Sequence, residues 1–390
     1  MEPSEPNWGK MGKPFIFVLD TRTVTTSPMT TNYDKTLILV NLGGPRTSSE
    51  IEVFLRDLFS DPFVFDLPLP EFFRIRLARF IAKKRAPKVQ KTYESMGFGG
   101  GSPLVDETEK QAKVLELILN QQTKVKWKVK VSMTCGYPNI REDEFTKPDA
   151  NTLYLPLYPQ FSRSTVLSTL AILESRFGEC PVGSGGYIPH FGLEPKYHQI
   201  IARFICEFFT NQLESDEFLH YPKETPNCDW KDLDLIFSAH GVPMRLIHKG
   251  DRYMEEVEIS VKKISEELRK FGFRGNVHVS YQSKVGPAKW TEPNTIQMIT
   301  KLSKEGKHIA VYPISFVSDH LETLEEIGEQ FKELTLENGG KSFVRIPAFG
   351  TYKPFMEYLA ERVLLADTSV KDCICKKNGG ESLKHCRFKN

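Results

Sequence analysis

An α/β protein of two similar lobes, each a doubly wound parallel sheet, with a central cleft between them, is the architecture this sequence predicts. Three observations predict it. Short apolar, β-branched runs alternate with longer helical segments, and the first half of the chain is echoed in the second. Two histidines and an acid also fall just past apolar runs, where open α/β sheets place their chemistry.

The strand-like runs lie at 37–42, 125–133, 153–157, 235–239, 277–281, 309–314 and 343–346. Between them, 105–119, 166–177, 197–213 and 254–271 carry apolar residues at helical spacing. Alternation on this scale means βαβ units, mainly parallel sheets and helices on both faces. In the echo, Leu37-Ile38-Leu39-Val40-Asn41-Leu42-Gly43-Gly44-Pro45 shares Leu-Ile, Gly and Pro with Leu235-Ile236-Phe237-Ser238-Ala239-His240-Gly241-Val242-Pro243. Likewise Leu155-Pro156-Leu157-Tyr158-Pro159-Gln160-Phe161-Ser162 resembles Val311-Tyr312-Pro313-Ile314-Ser315-Phe316-Val317-Ser318. The halves would meet near 180–195, where Cys180-Pro181-Val182-Gly183-Ser184-Gly185-Gly186 reads as a linker. The expected organisation is a loose extension over 1–34, lobes over 35–185 and 186–366, and a cysteine-bearing tail over 367–390. The cleft between lobes is the expected site.

A chain of 390 residues, 40% of them hydrophobic, can bury two substantial cores. Its 52 basic and 50 acidic residues nearly cancel, which argues against nucleic acid as a partner. No run approaches the roughly 18 apolar residues of a membrane span. The start, Met1-Glu2-Pro3-Ser4-Glu5, lacks the basic and apolar regions of a secretory signal, so a cytoplasmic location is the expectation. The seven cysteines do not suggest a disulfide framework. Cys206 reads as a buried structural thiol and Cys228 as an idle one in a Pro/Asn turn. Cys373, Cys375 and Cys386 gather in a polar, Gly- and Lys-rich tail.

Phe316-Val317-Ser318-Asp319-His320-Leu321-Glu322-Thr323-Leu324 packs Asp, His and Glu into four residues. Asp319 and Glu322 fit a capping box at a helix start, which would account for both acids without function. A second reading has Glu322, Glu326 and Glu329 stacked at i, i+4 and i+7, a row of repelling carboxylates suited to relaying protons or cations. In Ser238-Ala239-His240-Gly241 the small neighbours leave an imidazole room to act as a base near neutrality. The pair of His240 and His320 is more telling than either alone. No Gly-x-Ser-x-Gly elbow appears, which disfavours a Ser-His-Asp hydrolase.

Gly97-Phe98-Gly99-Gly100-Gly101-Ser102-Pro103 precedes a helix and suits a carboxylate-bearing substrate better than a nucleotide, because no P-loop lysine follows. Residues 67–85 read as a basic amphipathic helix after a Pro-rich entry. Phe73, Leu77, Phe80 and Ile81 share one face, and Arg74, Arg76, Arg79, Lys83, Lys84 and Arg85 supply charge. Such a helix either packs its stripe on the domain or forms an apolar lip for a membrane surface or an amphiphilic acidic ligand.

These segments resemble the signature segments of the ferrochelatase family. The resemblance runs in order from about Lys35 to Leu365 through Leu39-Val40-Asn41-Leu42-Gly43-Gly44-Pro45, Tyr93, Gly99-Gly100-Gly101-Ser102-Pro103 and Tyr158-Pro159-Gln160-Phe161-Ser162. It continues through Phe237-Ser238-Ala239-His240, Gln282-Ser283-Lys284-Val285-Gly286-Pro287 with Trp290, and the 316–326 segment. It implies a chelatase fold like that of periplasmic binding proteins, and insertion of Fe2+, as substrate, into protoporphyrin IX to give protohaem. No organic cofactor is implied. By the resemblance His240 is the base for the pyrrole protons, Glu322 faces it across the macrocycle, His320 and Asp319 support both, and Glu326 extends an acidic path for Fe2+. Arg85 and Ser102 match propionate-holding residues. Trp290 and Phe316 match the porphyrin wall, Leu42 matches a residue near the metal centre, and Tyr93 and Tyr158 fall in substrate-site segments.

One departure is Thr134-Cys135, where many relatives carry Arg-Tyr on the proposed metal-entry side. Some relatives bind a [2Fe–2S] cluster through tail cysteines and one internal cysteine. Here the internal position of animal enzymes falls at Arg163, so Cys180 is the candidate beside Cys373, Cys375 and Cys386. A structural zinc site and unligated thiols stay open as alternatives. A peripheral contact with the inner membrane and a homodimer also stay open. The rival functions are a non-catalytic ligand binder of this fold, and a chelatase for coproporphyrin or cobalt.

Overall fold

Two parallel sheets of matching strand order carry the fold. β1 (Lys35–Asn41) lies between β2 (Trp127–Met133) and β3 (Thr152–Pro156). β4 (Asp234–His240) lies between β5 (Val277–Gln282) and β6 (His308–Pro313), with β7 (Ser342–Arg345) beyond β6. Every one of these pairings is parallel. A parallel bridge from Tyr154 to Tyr187 lies on the first sheet as β7 lies on the second, next to β3. The computed structural model describes residues 33–65, 69–95, 100–142, 144–178, 181–182, 185–213, 228–284 and 288–368.

The echoed segments hold equivalent places: β1 and β4 are central strands, and β3 and β6 flank them on the same side. Both central strands are buried along nearly their whole length, as their unbroken apolar runs require. At each, strand order reverses, so a crevice opens beyond its carboxyl end. Leu42 leaves β1 there, and His240 ends β4 there.

The helices are α1 (Ile51–Ser60), α2 (Glu71–Ser95), α3 (Leu104–Gln122), α4 (Ser168–Phe177), α5 (Pro195–Phe209), α6 (Met244–His248), α7 (Tyr253–Lys270), α8 (Thr295–Lys304), α9 (Phe331–Glu337) and α10 (Lys353–Thr368). α5 starts on a proline suited to the first turn and buries Tyr197, Ile200, Ile201, Phe204 and Ile205, the stripe that helical period demands. α8 is capped by Asn294, whose side-chain oxygen accepts from the N–H groups of Ile296 and Gln297. Two segments, Arg163–Leu167 and Glu322–Gln330, wind as π-helix, one after β3 and one after β6.

Two expectations are corrected. The largest apolar cluster joins Leu37, Leu39 and Leu155 to Phe237 and Tyr312, so one core runs through both sheets where two were expected. Ile188 and Phe191, just past the expected linker over 180–186, are buried in it. Cys206 is half-buried, because it sits at the edge of that core. The described residues from Tyr33 onward form one compact unit.

On α2 the stripe is only in part where periodicity put it: Ile81 packs against the cluster it shares with α1 and Leu77 is partly buried. Ala78 and Ala82 are fully buried against α1, whereas Phe73 and Phe80 are 58% and 62% exposed. Small residues let two helices approach closely, and the larger rings are left outside.

Candidate active site

His240 is placed by its small neighbours. A Cβ on Gly241 would lie 2.7 Å from the Gln282 carbonyl oxygen and 3.2 Å from the Trp290 ring, so only glycine fits behind the imidazole. The Nδ1–H of His240 donates to the Gly241 carbonyl at 2.6 Å, and its backbone N–H donates to Ser315 Oγ at 2.9 Å. In the neutral ring that bond leaves Nε2 with the lone pair, and Nε2 lies 3.5 Å from Glu322 Oε2. Two acceptors facing each other have room for one proton between them. Both side chains are partly open to solvent, at 36% and 28%.

The wall beside them is aromatic. The Trp290 and Phe316 rings each lie 6.4 Å from the His240 ring, and Phe316 meets His320 edge-on at 4.4 Å. His320 is buried, and burial holds its imidazole below the usual 6.5, so the neutral ring is favoured. Its Nδ1–H donates to the Ser318 carbonyl at 3.2 Å, which turns Nε2 toward Glu322 Oε2 at 4.0 Å.

The capping-box reading does not hold. Asp319 instead accepts from Arg345 Nη1 at 3.0 Å and from the Ala348 N–H at 3.1 Å. The N–H of His320 donates to Thr323 Oγ1 at 3.0 Å, and the Glu322 carboxylate faces Ser283 and His240 instead of reaching back to the Asp319 N–H. The row of three carboxylates is a pair. The Ser283 hydroxyl lies within hydrogen-bond distance of both Glu322 and Glu326, closer to Glu326, and its N–H donates to Glu326 Oε1 at 2.9 Å, while Glu329 is exposed. A π turn takes up more residues than an α turn, so i+7 no longer lies over i. Burial raises the Glu326 carboxyl, and the Ser283 hydroxyl works against that rise. Ser283 has φ +61°, a left-handed conformation that costs a non-glycine residue about 1 kcal/mol or more.

The facing segment carries Leu42, Tyr93 and Ser102. Leu42, Tyr93 and Leu321 share one apolar cluster, which joins this side to the residue beside Glu322. Burial raises the Tyr93 phenol, the Glu322 charge raises it further, and a hydrogen bond to Ser102 opposes both. Tyr158 is buried in an adjoining cluster that also touches Leu42. Arg85 is exposed, with its guanidinium 5.7 Å from the Phe59 ring centre, and no described contact joins it to His240 or Glu322. Thr134 and Cys135 are buried, and burial keeps Cys135 a thiol, which makes it a poor metal ligand.

Ser283, Gln282 and Ser315 carry no role in the sequence reading, although 282–283 obeys the same strand-end rule at β5. Cys180, Cys373, Cys375 and Cys386, the glycines at 97–99, the segment at 285–287, the entry at 67–68 and the extension before Tyr33 lie outside the described residues. Among the described residues no group of three or more His, Cys, Asp or Glu side chains is gathered as a resident metal site would require.

The ferrochelatase family profile matches residues 34–366. The ferrochelatase of Leptospira biflexa serovar Patoc is 76% identical over 362 residues, covering 93% of this chain and all of the relative. That of Leptospira borgpetersenii serovar Hardjo-bovis is 54% identical over 348 residues, covering 88% of this chain and 95% of the relative. That of Pelagibacter ubique is 38% identical over 344 residues, covering 85% and 90%. A profile spanning both sheets, with relatives this similar over nearly their full length, means that the chain belongs to the ferrochelatase family.

Proposed function

We propose that the chain inserts ferrous iron into protoporphyrin IX to give protohaem, the closing step of haem synthesis. The observation that carries this is the His240 Nε2 to Glu322 Oε2 pair, two proton acceptors 3.5 Å apart and partly open beside Trp290 and Phe316. The reaction exchanges two pyrrole protons for one Fe2+. His240 takes a proton at Nε2, and Glu322 accepts beside it and stabilises the imidazolium. Ser283 links Glu322 to Glu326, a path for the second proton or for the incoming cation. Asp319 and His320 hold the segment that presents Glu322. The macrocycle lies against Trp290, Phe316 and Leu42, with its propionates toward Arg85 and Ser102, in a cleft between lobes over 35–185 and 186–366. Incubating the protein without oxygen with Fe2+ or Zn2+ and each porphyrin, and following the Soret band, tests the reading. Turnover of protoporphyrin IX supports it, a preference for coproporphyrin or cobalt moves it to the rival chelatases, and binding without metallation makes the chain a binder.

The exposed face of α2 reads as a peripheral membrane contact. Phe72 and Phe73 are each 58% exposed, Arg76 sits 4.1 Å over the Phe72 ring, and Lys84 sits 5.4 Å over the Phe80 ring. No helix among the described residues is long and apolar enough to cross a membrane. Replacing Phe72 and Phe73 by Ser is expected to weaken partition onto anionic liposomes; unchanged partition overturns the contact. For the tail, a [2Fe–2S] cluster on Cys373, Cys375, Cys386 and Cys180 gives reddish anaerobic protein that Cys375→Ser bleaches. Stoichiometric zinc or metal-free thiols would each replace that assignment. Sedimentation separates monomer from homodimer.

A further inference from the structure

Gln111 is a polar side chain with no solvent exposure on a helix face whose other buried members include Leu104, Val105, Ala112, Leu115 and Leu119. An amide costs about 1–3 kcal/mol to bury in protein unless its hydrogen bonds are made. Here they are made, and all of them reach across to the second sheet's loops. Nε2 donates to the Val317 carbonyl at 3.2 Å and to the Gly350 carbonyl at 2.7 Å, and Oε1 accepts from Ser318 Oγ at 3.0 Å. The Gly350 N–H returns to the Val317 carbonyl at 3.0 Å, which closes a ring of bonds around the loops that follow β6 and β7.

That ring ends one peptide from a functional group. The Ser318 carbonyl is the acceptor that orients His320 through Nδ1. The same helix face holds the other wall: Thr108, three residues before Gln111, accepts from Asn41 Nδ2 at 3.2 Å, and Asn41 Oδ1 accepts from the Leu42 N–H at 2.9 Å. α3 thus spaces the end of β1 against the loop after β6.

We infer that Gln111 is a positioning residue for metal insertion: by clamping Val317 and Ser318 it fixes the carbonyl that holds His320 as its Nδ1–H tautomer, with Nε2 aimed at Glu322. This rests on the reading of His320 as part of the insertion site.

Gln111→Met keeps shape and removes all three bonds. In protein labelled with 15N-histidine, the parent is expected to show His320 as the Nδ1–H form and Gln111→Met a mixture of tautomers. Turnover is expected to fall about tenfold, in line with small misplacements of reacting groups, while porphyrin affinity stays within about twofold. Should Gln111→Met fail to fold, Ser318→Ala removes only the hydroxyl and is expected to act in the same direction, by about threefold in turnover. A parental His320 tautomer, or parental turnover with a shifted tautomer, overturns the proposal. Parental turnover in His320→Ala overturns the reading of the site and the proposal with it. A catalytically required His320 whose tautomer ignores Gln111→Met overturns the proposal alone.

Discussion

The ends of β1 and β4 occupy the same place in two sheets of the same order, yet they present different chemistry. After β1, Asn41 turns its amide back onto Thr108 and the Leu42 N–H, so that end is self-satisfied and offers an apolar side chain. After β4, His240 uses only Nδ1 on its own backbone and leaves Nε2 to the cleft. The loops after β3 and β6 differ in the same way, although each leads into a π turn. The first is tied down by buried carboxylates: Asp251 accepts from Ser162 Oγ and the Arg163 N–H, and Glu256 accepts from the Phe161 N–H. The second leaves the Glu322 carboxylate facing His240. Topology fixes where a site can form, and the placement of two or three polar groups decides which end presents a facing imidazole and carboxylate.

Breaking the His240 end is expected to give the largest effect. His240→Ala should lower turnover at least a hundredfold, the range of a lost general base, while porphyrin binding persists. Leu42→Ala, its counterpart on β1, should weaken porphyrin binding a few-fold and leave the insertion rate of the bound complex nearly unchanged. Equal losses of turnover in both would erase the asymmetry.

Next come the carboxylates that hold each loop. Asp319→Asn breaks a buried pair with Arg345 and should cost about 3 kcal/mol in urea unfolding. Asp251, whose carboxyl burial has already raised, bonds neutral donors, so Asp251→Asn should cost less, about 1–2 kcal/mol. The reverse order would place the firmer anchor in the first loop.

Glu326 sharpens the comparison in stability. Burial raises its folded carboxyl above 4.5, so the native state holds its proton more tightly than the unfolded chain. The penalty is then present above the raised value and absent below about 4.5. Glu326→Gln should raise Tm at pH 7 and give no gain at pH 4; a lower Tm at pH 7 would mean that the Ser283 bonds outweigh burial. The smallest effect is expected at His320. Its folded value lies below 6.5, so the unfolded chain protonates first, and stability falls as pH drops from 6.5 toward the lowered value, then levels. His320→Asn should flatten that slope.

Much of this was readable from residue order, because the relevant physics is local. Unbroken β-branched runs mark the buried central strands, and the strand-end rule selects His240 and the 319–322 segment before any contact is known. What escaped is tertiary. Nothing local marks Ser283 as left-handed, since its strain is held by Glu322 and Glu326, some forty residues away. Gln111 reads as an ordinary helical polar residue until Val317 and Gly350 are folded against it. The carboxylate row failed at Glu329 because the spacing argument assumes α winding where the helix is π. On α2, spacing found the basic amphipathic helix and, in Leu77 and Ile81, part of its inward side, but not the centre of that side, because Ala78 and Ala82 carry weak hydrophobic signals and become core only through close approach to α1.

Glu322→Gln tests the facing acceptors at the end of β4 in one turnover. With protoporphyrin IX prebound and Fe2+ mixed in without oxygen, the parent should lose porphyrin fluorescence as metal enters the ring. In Glu322→Gln, which keeps shape but removes the acceptor charge, bound porphyrin should stay fluorescent at least a hundred times longer, with unfolding unchanged. Metallation at the parental rate would contradict the account.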